Sequence, residues 1–194
     1  MDAHTPRFGE NSGLKYREGT REKMGFEEHR RAAPGRLRVA VITISDSRYR
    51  AWREGRDEDL SGRIMEERLR KEGHEVTREI VPDEPELILG AVKKHLEDPS
   101  VDVILTCGGT GITRRDVTIE TLRPLLEKEL PGFGERLRAM GYEMVGTPAL
   151  LTRATFGVAR GKLLCCLPGA PSSVEVGMKL LLPELGHLVK HARE

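Results

Sequence analysis

The densest group of chemically useful residues in the sequence is the run CGGTGITRRD, residues 107–116. Gly108, Gly109 and Gly111 carry no Cβ, so backbone N–H groups there can turn toward a bound anion and approach it closely. Thr110 and Thr113 add hydroxyl donors, while Arg114 and Arg115 are available to neutralise phosphate charge. Neither standard phosphate pattern is present. No Gly-Lys-Ser/Thr follows at P-loop spacing, and after Gly109 and Gly111 the third position of a dinucleotide fingerprint is Arg114. Asp116 is the odd member, because a carboxylate repels phosphate unless something lies between them. Three roles suit it: a helix cap, directly or through neighbouring Thr118; a ligand to Mg²⁺, which accepts carboxylate and phosphate oxygens together; or a hydrogen-bond partner for a neutral, polar part of a ligand. Asp83, in VPDE (81–84), can share any of these roles.

Two further groups carry hydroxyls, acids or glycines: SDSR (45–48) and PGAPSS (168–173). Ser172 and Glu175 stand at capping-box spacing, so the second group is expected to open the C-terminal helix with its N–H groups free for an anion. A ligand with two separated anionic or polar ends suits two such sites. His187 and His191 are four residues apart on that terminal stretch, but no glutamate stands in HExxH register and no third ligand is evident. They read as a solvated face. Cys107, Cys165 and Cys166 offer no CxxC pair, and the adjacent pair sits in an apolar run, so all three read as buried structural residues.

These groups need elements to bring them together. LRVAVITIS (37–45) is nearly continuously apolar and β-branched, the pattern of a strand buried on both faces. Residues 60–73 read as an amphipathic helix ending at Gly73, 74–84 as a strand ending near Pro82, and 85–98 as a second helix with Asp83 or Glu84 at its cap and Pro85 in its first turn. Residues 101–107 form a third strand. Residues 118–130 are helical in part, with a kink or restart at Pro124, and a further helix covers 133–140. A last core strand and the C-terminal helix follow Gly161. Strands alternating with helices predict a three-layer α/β/α sandwich with a mostly parallel sheet. Ligands of such sheets gather beyond the carboxyl ends of the strands. Every candidate group follows a strand, so all of them are expected on one rim.

A chain of 194 residues suits one domain. Residues 1–36 are polar and lack apolar periodicity, so they are expected to be a flexible arm, with the domain over 37–194. The formal net charge of +1 gives no global field for nucleic acid or a membrane surface. No apolar run approaches the roughly 20 residues of a membrane span. The N-terminal residues do not resemble a secretory signal, and a cytoplasmic location is expected.

With these residues assembled, the chain resembles the MoaB/Mog family of molybdenum-cofactor biosynthesis proteins, most closely its MoaB branch. The pieces that carry the likeness are VITISDS (41–47), DLSG (59–62), VPDE (81–84), TCGGTGITRRDVT (106–118), ELPGFGE (129–135), LTRATFGV (151–158) and LPGAPSS (167–173). The resemblance implies a Rossmann-like α/β/α fold, assembled as a homo-oligomer (trimer or hexamer), that binds molybdopterin. It also implies transfer of AMP from ATP to the molybdopterin phosphate with Mg²⁺, and the molybdenum-insertion protein of the pathway as a partner. Carried over by motif, Asp83 and Asp116 are the essential acids and the expected Mg²⁺ ligands. Gly108, Gly109, Thr110 and Gly111 line the phosphate-bearing end. Ser45, Asp46, Ser47, Thr113, Arg115, Thr152, Arg153, Pro168, Gly169, Ser172 and Ser173 complete the expected substrate site. Two alternatives stand beside this reading: a pterin-binding protein without catalysis, and a nucleotide pyrophosphatase of the competence-damage type.

Overall fold

The computed structural model describes residues 33–194. The expected arm over 1–36 lies outside the described residues except for its last four, of which Ala33 and Pro34 lie against Gly186. Six strands form one sheet: β1 (Arg38–Ile44), β2 (Glu75–Val81), β3 (Val103–Cys107), β4 (Lys128–Glu129), β5 (Thr155–Ala159) and β6 (Lys162–Leu167). Their order is β2-β1-β3-β6-β5-β4. The β1–β2, β1–β3 and β3–β6 pairs are parallel, whereas β5 pairs antiparallel with both β6 and β4.

Among the described residues, seven α-helices cover the sheet: α1 (Asp46–Arg53), α2 (Leu60–Lys71), α3 (Pro85–Glu97), α4 (Thr118–Leu122), α5 (Pro131–Val145), α6 (Pro171–Leu181) and α7 (Leu185–Ala192). Every residue of β1 after Arg38 is buried, because successive side chains feed opposite faces and both faces are covered. Val39 and Val41 pack with Met65 and Leu69 of α2 and with Val174 and Met178 of α6. Ala40, Ile42 and Ile44 pack on the other side with Ile88 and Val92 of α3 and with Ile119 and Leu122 of α4. These are the three layers expected from the sequence.

Several elements differ from expectation. The stretch 118–130 is helical in part with a restart at Pro124, as expected, α4 giving way to a 3₁₀ turn at Arg123–Leu125, but the short strand β4 that follows was not expected. Pro124 sits in the first turn of the 3₁₀ piece, where its missing N–H is tolerated. The helix anticipated at 133–140 is longer, α5 running from Pro131 to Val145. Helix α1 and strand β5 were not anticipated at all. Strands β5 and β6 form a hairpin whose two turn residues, Arg160 and Gly161, both have positive φ (52° and 70°), the geometry of a type I′ turn.

The sheet order sets the location of a ligand site. From β1 the chain crosses to β2 on one side, and from β2 it returns to β3 on the other. Strands β1 and β3 therefore diverge in connectivity while remaining paired, and a crevice opens beyond their carboxyl ends.

Candidate active site

The glycine loop follows directly from β3. It turns through Gly108 (φ +101°) and Gly109 (φ +59°). A Cβ on Gly108 would stand 2.2 Å from the Ile44 carbonyl oxygen, so the loop backbone lies against the end of β1 with no room for a side chain. Gly108 N–H donates to the Leu167 carbonyl at 3.1 Å, which ties the loop to β6. The Thr118 hydroxyl donates to the Gly108 carbonyl at 2.9 Å, and Thr118 N–H to the Gly109 carbonyl at 2.9 Å. Arg153 donates to the Gly111 carbonyl at 2.6 Å and pairs with Glu120. The loop is thus fixed before any ligand arrives.

Three aspartates stand around it. The Asp46 N–H donates to Asp83 Oδ2 at 2.9 Å, and Asp83 N–H donates back to Asp46 Oδ1 at 3.0 Å. This reciprocal pair locks the ends of β1 and β2 together. Arg115 donates to Asp46 Oδ2 at 2.5 Å, and that bond holds the Asp46 carboxyl below its ordinary pKa, with the bond from Asp83 N–H helping. Asp116 Oδ2 accepts from the Thr113 hydroxyl at 2.6 Å and from Thr113 N–H at 2.9 Å. The hydroxyl bond is the larger cause of its lowered pKa. Asp116 therefore closes its own loop and is not the cap of α4; the residue at that cap is Val117, with no side-chain bond to the helix. Asp83 goes the other way. Loss of hydration raises its pKa, and the charges of Asp46 and Asp116 add to the rise against the bond from Asp46 N–H and the charge of Arg115.

The far rim comes from β6 and α6. Gly169 lies against Gly108, a Cβ there meeting the Gly108 Cα at 3.2 Å. Its carbonyl accepts from the Ser61 hydroxyl at 2.8 Å, so α2 positions this turn. The capping box expected at Ser172 and Glu175 is absent. Ala170 is the N-cap, Pro171 occupies the first turn, and no side chain caps the helix. Pro171 fixes the backbone into the helix there, which moves Ser172 inside it. Glu175 instead pairs with Arg68 at 2.8 Å.

Together these elements enclose an open cleft of about 480 Å³. Ser45, Asp83, Gly108, Gly109, Thr110, Gly111, Asp116, Thr152, Pro168, Gly169 and Ser173 all line it. Other expected site residues stand outside that lining. Asp46 and Arg115 brace the rim, Arg153 holds the loop from outside, and Thr113 serves Asp116. Ser47 is exposed with its hydroxyl 3.2 Å from that of Ser45. Ser172 lines a small apolar crevice shared with Leu137, Met144 and Val176. Arg48, Ile44, Leu151 and Ala170 line the cleft without having been anticipated. The three cysteines are buried, as expected, and burial pushes the Cys107 thiol up to about 12.

The family described as "probable molybdopterin binding domain" matches residues 40–187, a span that contains every wall of this cleft. The chain belongs to that family. Among its relatives in the molybdopterin-binding family is a protein from Pyrococcus furiosus named molybdopterin adenylyltransferase, 44% identical over 175 residues, covering 88% of this chain and 100% of the relative. A molybdenum cofactor biosynthesis protein B from Bacillus cereus is 45% identical over 168 residues, covering 85% of this chain and 96% of the relative. The crystal structure of a tungsten cofactor synthesizing protein MoaB from Pyrococcus furiosus superposes with a TM-score of 0.75 at 43% identity, covering 84% of this chain and all of that one. The α/β/α fold is therefore that of the molybdopterin-binding family.

The donor set in this family member suits a divalent cation bound together with a ligand. No group of three or more His, Cys, Asp or Glu is arranged to hold a metal among the described residues. Mg²⁺ needs fewer, since it keeps waters and takes one or two carboxylates plus substrate phosphates. Burial is the main cause of the raised pKa of Asp83, with the neighbouring Asp46 and Asp116 charges adding to it, and a cation bound beside these carboxylates would offset both. Among the described residues no helix is long and apolar enough to cross a membrane.

Proposed function

We propose that this protein is a molybdopterin adenylyltransferase, moving AMP from ATP to the phosphate of molybdopterin with release of pyrophosphate. One observation carries the reading: Asp83 and Asp116, from different strand ends, line the same cleft as a loop of Cβ-free backbone N–H groups. A site for pterin alone has no need of two carboxylates beside an anion-holding loop.

In this reaction an oxygen of the pterin phosphate attacks the α-phosphorus of ATP. A new P–O bond forms, the bond from the α-phosphorus to the bridging oxygen breaks, and pyrophosphate leaves with the electron pair. The attacking oxygen is already an anion, so no side chain has to remove a proton. The obstacle is the approach of like charges. The loop is held in place beforehand, with Gly108 N–H bonded to Leu167 and Gly111 N–H to Asp116, so the Gly109 and Thr110 N–H groups and the first turn of α6 can meet that charge with little reorganisation. Bound Mg²⁺ supplies charge neutralisation across the phosphates, and Asp83 and Asp116 are the residues that would hold it. Their role is binding and positioning, not general base catalysis. Ser45, Thr110, Thr152 and Ser173 offer hydroxyls to the polar edges of the substrates.

The same reading includes a homo-oligomer, a cytoplasmic location and delivery of the adenylylated product to a molybdenum-inserting partner. Exposed apolar residues concentrated between Tyr142 and Leu151 support the oligomer.

The test is incubation of the purified protein with molybdopterin, ATP and Mg²⁺, with mass spectrometry for adenylylated pterin and pyrophosphate. Pterin binding without AMP transfer, under conditions in which the Pyrococcus furiosus relative is active, would leave a binding protein. Conversion of ATP or another nucleotide to its monophosphate without adenylylated pterin would indicate a pyrophosphatase.

A further inference from the structure

Arg48 is the cation in the cleft whose charge the protein leaves unanswered. It sits in the first turn of α1 and lines the cleft with the glycine loop and the turn of residues 168–170. Its Nε is shut off from solvent and has no hydrogen-bond partner. Its one side-chain hydrogen bond is a long one, from Nη1 to the Ser45 hydroxyl at 3.4 Å. Among the described residues no carboxylate lies within ion-pairing distance of it.

Three other arginines near the cleft are paired, and Arg114 of the glycine loop is exposed to solvent rather than buried. Arg115 is held by Asp46, Arg153 by Glu120, and Arg78 by Asp57, Asp59 and Glu66. A guanidinium cannot shed its proton to escape burial, as a lysine can. A part-buried cation without an anion is therefore unfavourable for folding. Such an arrangement is retained where an incoming group supplies the missing charge. Arg48 lies toward the Cys107 end of β3, whose buried thiol remains protonated and offers no counter-charge.

We propose that Arg48 seats a phosphoryl group of the bound substrate, between the N–H groups of the glycine loop and the first turn of α6. The proposal rests on the adenylyltransferase reading above. It gives one cleft both kinds of charge, the carboxylates of Asp83 and Asp116 for a cation and the guanidinium of Arg48 for an anion. It also moves the phosphate-binding role from Arg115, which braces Asp46, to an arginine outside the glycine loop. The planar guanidinium matches phosphate oxygens in pairs. Either the monoester phosphate of molybdopterin or the triphosphate of ATP has the required chemistry.

Arg48→Met and Arg48→Lys test this. Calorimetric titrations with ATP and Mg²⁺, and separately with molybdopterin, give Kd values independent of turnover. Steady-state assays give KM for each substrate. Arg48→Met is expected to raise Kd and KM for at least one substrate by about ten- to a hundredfold, with Tm equal to or above wild type. Arg48→Lys recovers part of the affinity. A rise confined to ATP assigns the triphosphate, and one confined to the pterin assigns the monoester. Unchanged Kd for both substrates overturns the proposal, as does a fall in Tm of Arg48→Met large enough to account for the weaker binding. A wild-type protein that binds both substrates without transferring AMP removes the proposed reaction, while the Kd comparison still decides the role of Arg48.

Discussion

Asp83 and Asp116 share a cleft, but the fold treats their charges in opposite ways. Burial raises the pKa of Asp83, whereas the Thr113 hydroxyl lowers that of Asp116. An acid with a raised folded pKa favours folding only while protonated; its contribution declines as pH climbs from the unfolded value through the folded one, and stays unfavourable above. An acid with a lowered folded pKa contributes stability above its unfolded value and loses it as pH falls through the folded one. At pH 7, Asp83→Asn is therefore expected to hold or raise Tm, and Asp116→Asn to lower it slightly, since solvent screens that near-surface group. Both are expected to lose AMP transfer by at least about a hundredfold. Calorimetry beside the product assay reads both effects, and a lower Tm for Asp83→Asn contradicts the burial argument. Gly108→Ala places a Cβ on the Ile44 carbonyl at positive φ, so a loss above about 2 kcal/mol in urea unfolding is expected. Such glycines were legible in the sequence because their chemistry is local. Arg48 was not, because SDSRYRAWRE holds three arginines, and only the folded arrangement distinguishes the one whose Nε is buried at the cleft without a hydrogen-bond partner.

The elements that carry the site are held by polar contacts as much as by the core. Asp59 is fully buried. It caps α2 by accepting from Gly62 N–H at 2.9 Å, and it also accepts from the Thr43 hydroxyl at 2.7 Å and from Arg78 at 3.1 Å. Arg78 in turn reaches Asp57 and Glu66 and lies over the Trp52 ring, 5.3 Å from its centroid. Four elements, β1, β2, α1 and α2, meet at this cluster. Because α2 also holds the Gly169 carbonyl through Ser61, the cluster sets one wall of the cleft. Arg78→Leu leaves Asp59 buried without its cation and is expected to cost about 3 kcal/mol or more, measured by denaturant unfolding; a change below about 1 kcal/mol would show the cluster to be dispensable. The sequence revealed the strands buried on both faces, since continuous apolar runs such as VAVITI have few other readings. It hid β5 because TFGVA is short and its hairpin turn is Arg-Gly, without the Asn-Gly or Asp-Gly that marks a type I′ turn. Helix α1 was hidden because its charges fall on most faces and Ala51 is its only buried residue.

At the scale of the whole molecule, charge and composition exclude a general field for polyanions but say little about self-association, because an interface is a property of which apolar residues remain exposed. Tyr142, Met144, Val145, Leu150 and Leu151 are exposed, and they lie together at the end of α5 and in the following 3₁₀ turn. Leu150 alone is 75% exposed, and burying one such side chain is worth about 1.5–3 kcal/mol. This band adjoins the site: Leu151 lines the cleft, while Met144 and Val145 line the crevice that contains Ser172 and Ser173. If copies of the chain associate through this band, assembly shields one side of the cleft from water and fixes the segment before Thr152 and Arg153. Light scattering on the purified protein is then expected to give a multiple of the 21.7 kDa chain mass. The double variant Met144→Glu, Leu150→Glu, which introduces two like charges into an apolar contact, is expected to dissociate it while leaving the monomer folded by circular dichroism. Since Arg153 holds the Gly111 carbonyl, the dissociated form is expected to bind substrates more weakly, with KM rising more than kcat falls. A wild-type protein that runs as a monomer, or a double variant that keeps its mass, would remove the band from any role in assembly and leave its exposure unexplained.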